Sequence, residues 1–249
     1  MVGIGPGDLS LLTTQAREAI DNAEVVVGYT KYVEIVQELL EDKETISTGM
    51  TREIERANKA VELARKGKKV ALISSGDPGV YGMAGLLLEI TTSKLLSPAE
   101  TEIWGEREIT VEIVPGVTAA NAAAAVLGAP LMHDFSVISL SDLLTPWEVI
   151  EKRLEAAGMG DFILVLYNPA SKKRRKHIEI ARDILLKYRS NTTPVGIVRN
   201  CFRENQEIFL TDLKNMLNYN IDMFTTPIIG NSQTYRQGNN LITPRGYKI

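Results

Sequence analysis

Cysteine and histidine are scarce in this sequence: Cys201 is the single cysteine among 249 residues, and only two histidines accompany it. One cysteine excludes an internal disulfide, and so few His and Cys cannot assemble a zinc-type ligand set, so no metal is expected. A reducing, cytoplasmic setting fits that usage. A positive excess is missing too. The 28 Lys and Arg face 31 Asp and Glu, a net charge of -3, which is not a chain held to nucleic acid by a general basic field. No apolar run approaches the roughly 20 residues that span a bilayer. The N-terminus has no basic stretch and is broken by Gly3, Gly5, Pro6 and Gly7, so neither secretion nor membrane embedding is expected. What remains is an ordinary globular composition, 44% hydrophobic and 24% charged, which excludes low complexity and suits one large or two small domains.

Short β-rich runs alternate with helical periodicity along the whole chain, the pattern of α/β architecture with mostly parallel sheets and flanking helices. Val2 to Ile4 is read as a strand, either a stub or the remnant of a chain that begins earlier, then Leu11 to Ala23 as helix, Val25 to Val27 as strand and Tyr32 to Leu40 as helix. Thr51 opens a helix with Ile54, Ala57, Val61 and Ala64 on one stripe and a stop at Gly67. Val70 to Ser74 is a buried strand, and an apolar helix follows from Met83. Leu96 to Glu108 reads as a connection before a strand at Thr110 to Val114, and Val117 to Leu127 as an Ala-rich helix. Central strands are expected at Phe135 to Leu140, Phe162 to Tyr167, Val195 to Val198 and Pro227 to Ile229. Helices fall at Trp147 to Ala157 and Arg175 to Tyr188, and Glu207 to Leu210 reads as an antiparallel strand. A domain boundary near residues 115 to 130 gives an N-terminal domain 1–115 and a C-terminal domain 116–249.

Three strand-to-helix junctions carry the motifs. Gly3-Ile4-Gly5-Pro6-Gly7-Asp8 fails the dinucleotide fingerprint, because position 8 is Asp and Pro6 removes an amide donor; a tight turn is its plain reading. Ser74 to Gly82, with sequence SSGDPGVYG, sits where a strand's carboxyl end enters a helix, the place where α/β sheets bind ligands. Asp77 there either caps the helix or orders a ligand loop. Pro115-Gly116-Val117-Thr118-Ala119-Ala120 offers a flat wall of small residues, or only close helix packing.

Together these segments resemble the tetrapyrrole methylase family, cobalamin-pathway enzymes that use S-adenosylmethionine on a two-domain α/β scaffold. The resemblance lies in GIGPGD with LLT behind it, SSGDPGVYG, PGVTAANAAAAVLGAPL and LVLYNPAS, in the expected order over essentially the whole chain. GMTREIERA, LMHDFSVISLSDLLTPWEVIEKRL and TTPIIGNSQTY are similar to the branch that methylates C-17 of precorrin-3B or cobalt-factor III with ring contraction.

The resemblance implies that S-adenosylmethionine, leaving as S-adenosylhomocysteine, lies in a cleft between the domains. It would be held by Pro6, by Ser75, Gly76, Asp77 and Val80, and by Thr118 and Ala119, with Asn168, Cys201, Thr225 and Thr226 as further contacts. Asn168 stands where the family often has Met. Methyl transfer to an electron-rich ring carbon needs positioning and water exclusion more than side-chain chemistry. Ring contraction needs proton movement, for which Asp8 and His133 are the catalytic candidates. His133 also reads as a structural histidine paired with Asp134, and His177 as the solvated end of the basic run from Lys172, or as a carboxylate ligand. A tetrapyrrole substrate and a homodimer, the latter through apolar helix surface around Met83 to Ile90, complete the implied partners. Methylation of another corrin carbon, of rRNA ribose, or a non-catalytic nucleotide-binding module are the alternatives; the acidic balance speaks against rRNA.

Overall fold

A computed structural model describes residues 1–92, 108–171 and 174–248. The connection read at Leu96 to Glu108 lies, but for its last residue, outside the described residues. The chain divides into two compact units, Met1–Thr118 and Ala119–Ile249.

In the first unit, β1 (Val2–Gly3), β2 (Val25–Tyr29), β3 (Glu44–Thr48) and β4 (Val70–Ser74) form a sheet of order β1-β4-β2-β3, parallel throughout. Parallel neighbours need crossovers, supplied by α1 (Thr14–Asp21), α2 (Thr30–Ile35) and α3 (Glu53–Arg65), with α4 (Ala84–Thr92) after β4. Helices on both faces explain the unbroken Val25-Val26-Val27 run, since alternate residues enter different cores. Val26, Ala71 and Ile73 pack with Ala16 and Ile20 of α1, while Val25, Val27 and Leu72 pack with Ala57, Val61 and Leu87 of α3 and α4. The strand expected at Thr110 to Val114 reduces to one parallel bridge, Val2 to Val114. Gly3 N donates to Val114 O at 3.0 Å, and Val114 N to Met1 O at 2.8 Å.

Several boundaries differ from the sequence expectation for local reasons. Thr13 accepts from Ala16 N at 3.1 Å and caps α1, so the helix starts there, and Leu9–Leu11 is a separate 3-10 turn. The helix expected over Tyr32 to Leu40 is α2 followed by a 3-10 turn at Gln37–Leu39. Thr51 adopts φ 64 and cannot begin α3. The core face of α3 is Arg56, Ala57, Ala60, Val61 and Leu63, rotated from the expected stripe, and Ile54 is 64% exposed. The apolar surface from which a dimer was expected is largely internal: Met83, Ala84 and Leu87 are core, and Leu86 and Ile90 pack against it.

The second unit holds α5 (Ala119–Leu127), β5 (Gly128–Ala129), β6 (Phe135–Ser139), α6 (Trp147–Met159), β7 (Ile163–Tyr167) and α7 (Lys176–Leu185). Five more strands follow: β8 (Pro194–Arg199), β9 (Glu207–Asp212), β10 (Thr225–Ile229), β11 (Tyr235–Gln237) and β12 (Asn240–Ile242). Its main sheet has the order β6-β7-β10-β8-β9 and is mixed, with β6 and β7 parallel while β10 and β9 run antiparallel to their neighbours. A small sheet, β11-β12-β5, stands apart. Ile138, Leu164, Leu166, Val195, Ile197 and Ile229 form the core with α6 and α7. Among the described residues no helix is long and apolar enough to cross a membrane.

Candidate functional site

Because β1 to β4 are parallel, their carboxyl ends share one edge of the first unit, and three turns meet there. Gly5 N donates to Gly76 O at 3.2 Å and Gly76 N to Gly5 O at 2.8 Å, joining the turns after β1 and β4. Ser75 Oγ adds a bond to Gly5 O at 3.4 Å. Asp77 joins the third turn: its Oδ1 accepts from Gly79 N at 2.8 Å and its Oδ2 from Gly116 N at 3.1 Å. It therefore does not cap α4, which begins at Ala84. The approach is close enough to demand glycine. A Cβ on Gly3 would lie 2.7 Å from Gly76 O and 2.8 Å from Gly116 N, and one on Gly116 would overlap the Gly76 carbonyl. Gly76 itself, at φ +67, has open space where a Cβ would be, with only Val117 O at 3.9 Å. Pro6 is buried beside this junction, Val80 is exposed, and Thr118 is partly buried at the end of the third turn. Asp8 is exposed at the same edge, where its Oδ1 accepts from Ser10 N at 2.8 Å and from the Ser10 hydroxyl.

In the second unit the carboxyl ends of β6, β7 and β8 and the start of β10 share an edge. Thr225 pairs with Arg199, and Val165 of β7 with Ile228 of β10, so Asn168, Cys201 and Thr225 gather there. Asn168 has φ 50; its amide donates to Ser139 Oγ at 3.0 Å, and its carbonyl accepts from Arg174 Nη2 at 3.3 Å. Left-handed non-glycine backbone costs about 1–3 kcal/mol per residue and concentrates at functional sites; Asn200, Phe202 and Asn205 share it beside Cys201. Burial pushes the Cys201 thiol up to about 11, against a small opposing effect of Arg203. Thr225 Oγ1 donates to Asp222 Oδ1 at 3.0 Å, and Thr226, its neighbour in β10, is buried. Ala119 opens α5 at this same edge, since Ala120 N donates to Tyr167 Oη at 3.0 Å.

His133 is placed differently. It precedes β6 and so lies at the opposite end of that sheet from Asn168 and Thr225. Its exposed ring accepts from Asp134 N through Nδ1 at 3.0 Å, with Asp134 Oδ2 at 3.8 Å. The structure thus separates it from the second unit's candidate cofactor contacts.

Two polar groups depart from the sequence reading, one placed wrongly and one passed over. His177 is not a solvated helix start: its side chain is 15% exposed, stacks on Trp147 at 4.0 Å, engages Leu140 O through Nδ1 at 3.0 Å, and places Nε2 3.6 Å from Asp142. Arg174 completes this cluster, donating to Leu140 O at 3.0 Å with Asp142 at 3.7 Å. Arg56 is the other, buried in the first unit. Helical spacing could have revealed both, since His177 is four residues before buried Ala181 and Arg56 four before buried Ala60. Among the described residues no group of three or more His, Cys, Asp or Glu could hold a metal ion.

Glycine-rich main chain lies at the carboxyl ends of a parallel sheet, the place where α/β folds bind ligands, and comparison with known proteins makes the chain a methyltransferase. The chain belongs to the tetrapyrrole (corrin/porphyrin) methylases, whose family model matches residues 1–217. It is 49% identical over 249 residues to the probable cobalt-factor III C(17)-methyltransferase of Salmonella typhimurium, covering all of this chain and 99% of that one. It is 50% identical over 248 residues to the cobalt-factor III methyltransferase of Priestia megaterium, of whose length it spans only 45%. The crystal structure of the methyltransferase CobJ superposes with a TM-score of 0.86 at 36% identity, covering 98% of each chain.

Proposed function

We propose that this protein transfers a methyl group from S-adenosylmethionine to C-17 of an acidic corrin precursor, precorrin-3B or cobalt-factor III, with contraction of the ring. The observation that carries the reading is the glycine junction stitched by Asp77, which presents main chain at the carboxyl edge of the sheet, in a chain similar along its full length to a relative named a probable cobalt-factor III C(17)-methyltransferase. The residues fit a sulfonium donor. Gly76 leaves room against its main chain, and a thiol pushed up to about 11 is only about one part in ten thousand thiolate at pH 7, so Cys201 is no rival nucleophile for the methyl group.

The cofactor, when bound, supplies an electrophilic methyl group. This chain's part is to hold and orient. Pro6, Ser75, Gly76, Asp77, Val80 and Thr118 in the first unit, and Ala119, Asn168, Cys201, Thr225 and Thr226 in the second, are the residues we assign to holding it. Their bonded turns are fixed before binding, which lowers the ordering cost of the complex. Asp8, exposed at the carboxyl edge, is our candidate for proton movement in ring contraction; His133 keeps a place in this proposal only as a group outside the second unit's edge. We also assign the protein to the cytoplasm, as a homodimer.

The test is incubation with S-adenosylmethionine and each tetrapyrrole in turn, following product mass, absorbance and the position of the new methyl group by NMR. Methylation elsewhere on the ring, or cofactor binding without turnover of either substrate, refutes the reading. Asp8→Asn should leave S-adenosylhomocysteine affinity unchanged and slow ring contraction; an unchanged rate removes Asp8 from that role. Sedimentation at micromolar concentration decides the homodimer, and a monomeric mass refutes it.

A further inference from the structure

The core face of α3 carries a guanidinium. Arg56 is 3% exposed, yet no carboxylate is among the hydrogen-bond partners it makes with the described residues. Nε donates to Thr48 Oγ1 at 2.8 Å, Nη2 to Gly49 O at 2.9 Å and Nη1 to Met83 Sδ at 3.2 Å, and the group lies 5.9 Å from the centre of the Tyr29 ring. The nearest acid in sequence, Glu55, is paired at the surface with Arg52 at 3.3 Å. Tyr29 and Thr48 end β2 and β3, and Met83 follows the turn after β4, so the charge sits beneath three carboxyl ends of the first sheet.

A buried cation satisfied only by neutral groups keeps its charge uncancelled, and its desolvation is a cost that an apolar residue of similar size would not carry. Stability alone gives no reason for it. The two turns it ties together give one. Both hold a left-handed non-glycine residue, Thr51 at φ 64 and Tyr81 at φ 53, and both expose apolar side chains, Met50 at 62% and Tyr81 at 55%. An apolar rim over an uncancelled positive charge fits a flat apolar molecule bearing carboxylates.

We infer that Arg56 is a positioning and specificity residue for the acidic tetrapyrrole: it holds the Gly49–Thr51 and Tyr81–Met83 turns as one rim and supplies a positive potential under it. This rests on the function proposed above. The fixed charge lies close enough to that rim to act within the screening length of about 8–10 Å at ordinary salt.

The experiment compares wild type, Arg56→Gln and Arg56→Lys, each as the full chain, by the KM for cobalt-factor III at several salt concentrations, by S-adenosylhomocysteine affinity and by thermal melting. Arg56→Gln is expected to raise KM about tenfold or more and to flatten its dependence on salt, with S-adenosylhomocysteine affinity and melting close to wild type. Arg56→Lys, which keeps the charge, is expected to retain the salt dependence, and Arg56→Met, uncharged and apolar, takes the place of the Gln variant if that one does not fold. An unchanged KM and salt dependence in the uncharged variant overturns the inference. So does a parallel loss of melting temperature, cofactor affinity and KM, which marks a merely structural arginine. A wild type that turns over no tetrapyrrole fails at the earlier step and refutes the proposed function instead.

Discussion

Replacing Asp77 by Asn removes one charge and one acceptor from a place where two main-chain donors converge. The sequence leaves two roles open for this residue, helix cap or cofactor loop, and in either an Asn would keep the melting temperature nearly unchanged. The geometry gives a third outcome. Oδ1 and Oδ2 accept from different turns, Gly79 N at 2.8 Å and Gly116 N at 3.1 Å, so an amide can satisfy one and must turn its NH2 toward the other. A hydrogen bond to a charged group is worth roughly 1.5–3 kcal/mol, and losing the one to Gly116 releases the third turn from the junction. The expected loss is at the lower end, about 1.5–2 kcal/mol, because Asp77 is only half-buried and water can reach the released amide. In a chain of this size that lowers the melting midpoint by roughly 3–8 °C. S-adenosylhomocysteine affinity should fall in the same sample, since the turns assigned to hold it move. Circular dichroism melting beside calorimetric titration measures both. An Asp77→Asn protein that melts within about a degree of wild type would show that the Gly116 bond does not hold the junction.

Other expectations follow from particular contacts. Gly116→Ala should abolish folding or cofactor binding, because its Cβ meets backbone that cannot rotate away, whereas Gly85→Ala in α4, with nothing within 4 Å, should be neutral or stabilising by up to about 1 kcal/mol in urea unfolding; equal effects would contradict this. Arg189 donates to Gly230 O at 2.5 Å, to Ala157 O at 3.4 Å and to Phe162 O, and burial lowers it to about 10. Arg189→Met should therefore cost about 3–5 kcal/mol by leaving buried carbonyls unpaired, and a loss under about 1 kcal/mol in a urea titration would refute that accounting. Cys201 rises in the native state from 9.0 to about 11, so the unfolded chain releases this proton first. Its contribution is intact below pH 9 and is lost as pH climbs to 11. Urea midpoints across that window should fall less steeply for Cys201→Ala than for wild type, and equal slopes would count against a buried thiol.

The strands that carry continuous apolar runs, β2, β4, β7 and β8, are legible in sequence because two covered faces leave no polar alternation. β3 is not. Its Glu-Thr-Ile-Ser-Thr has one apolar residue, since an edge strand that is largely exposed gains little from burial. The β11–β12 hairpin was overlooked although Gly238-Asn239 is a turn signal, and Gly238 adopts φ +58 there. Within the candidate site, the glycine turns and Asp77 could be located from their strand-to-helix context, but not their mutual bonding, which joins residues 5, 76 and 116 and has no local trace. His177 reads as solvated because it ends a basic run, and Arg56 draws no notice on a helix rich in charge; the partners that bury them, Leu140, Trp147 and Asp142 for one and Thr48, Gly49 and Met83 for the other, lie outside the helices that carry them.

The order β1-β4-β2-β3 also bears on how the chain is made. Val2 pairs with Ile73 and bridges Val114, while β2 and β3 pair with each other. During synthesis β1 therefore stays without its native partners until β4 has been translated, several seconds after it at about 5–20 residues per second. The hydrophobic Val2 and Ile4 spend that interval exposed. A ribosome-bound chain stopped after β3 should accordingly bind a holdase chaperone through Val2 to Ile4, and one extended past residue 114 should not.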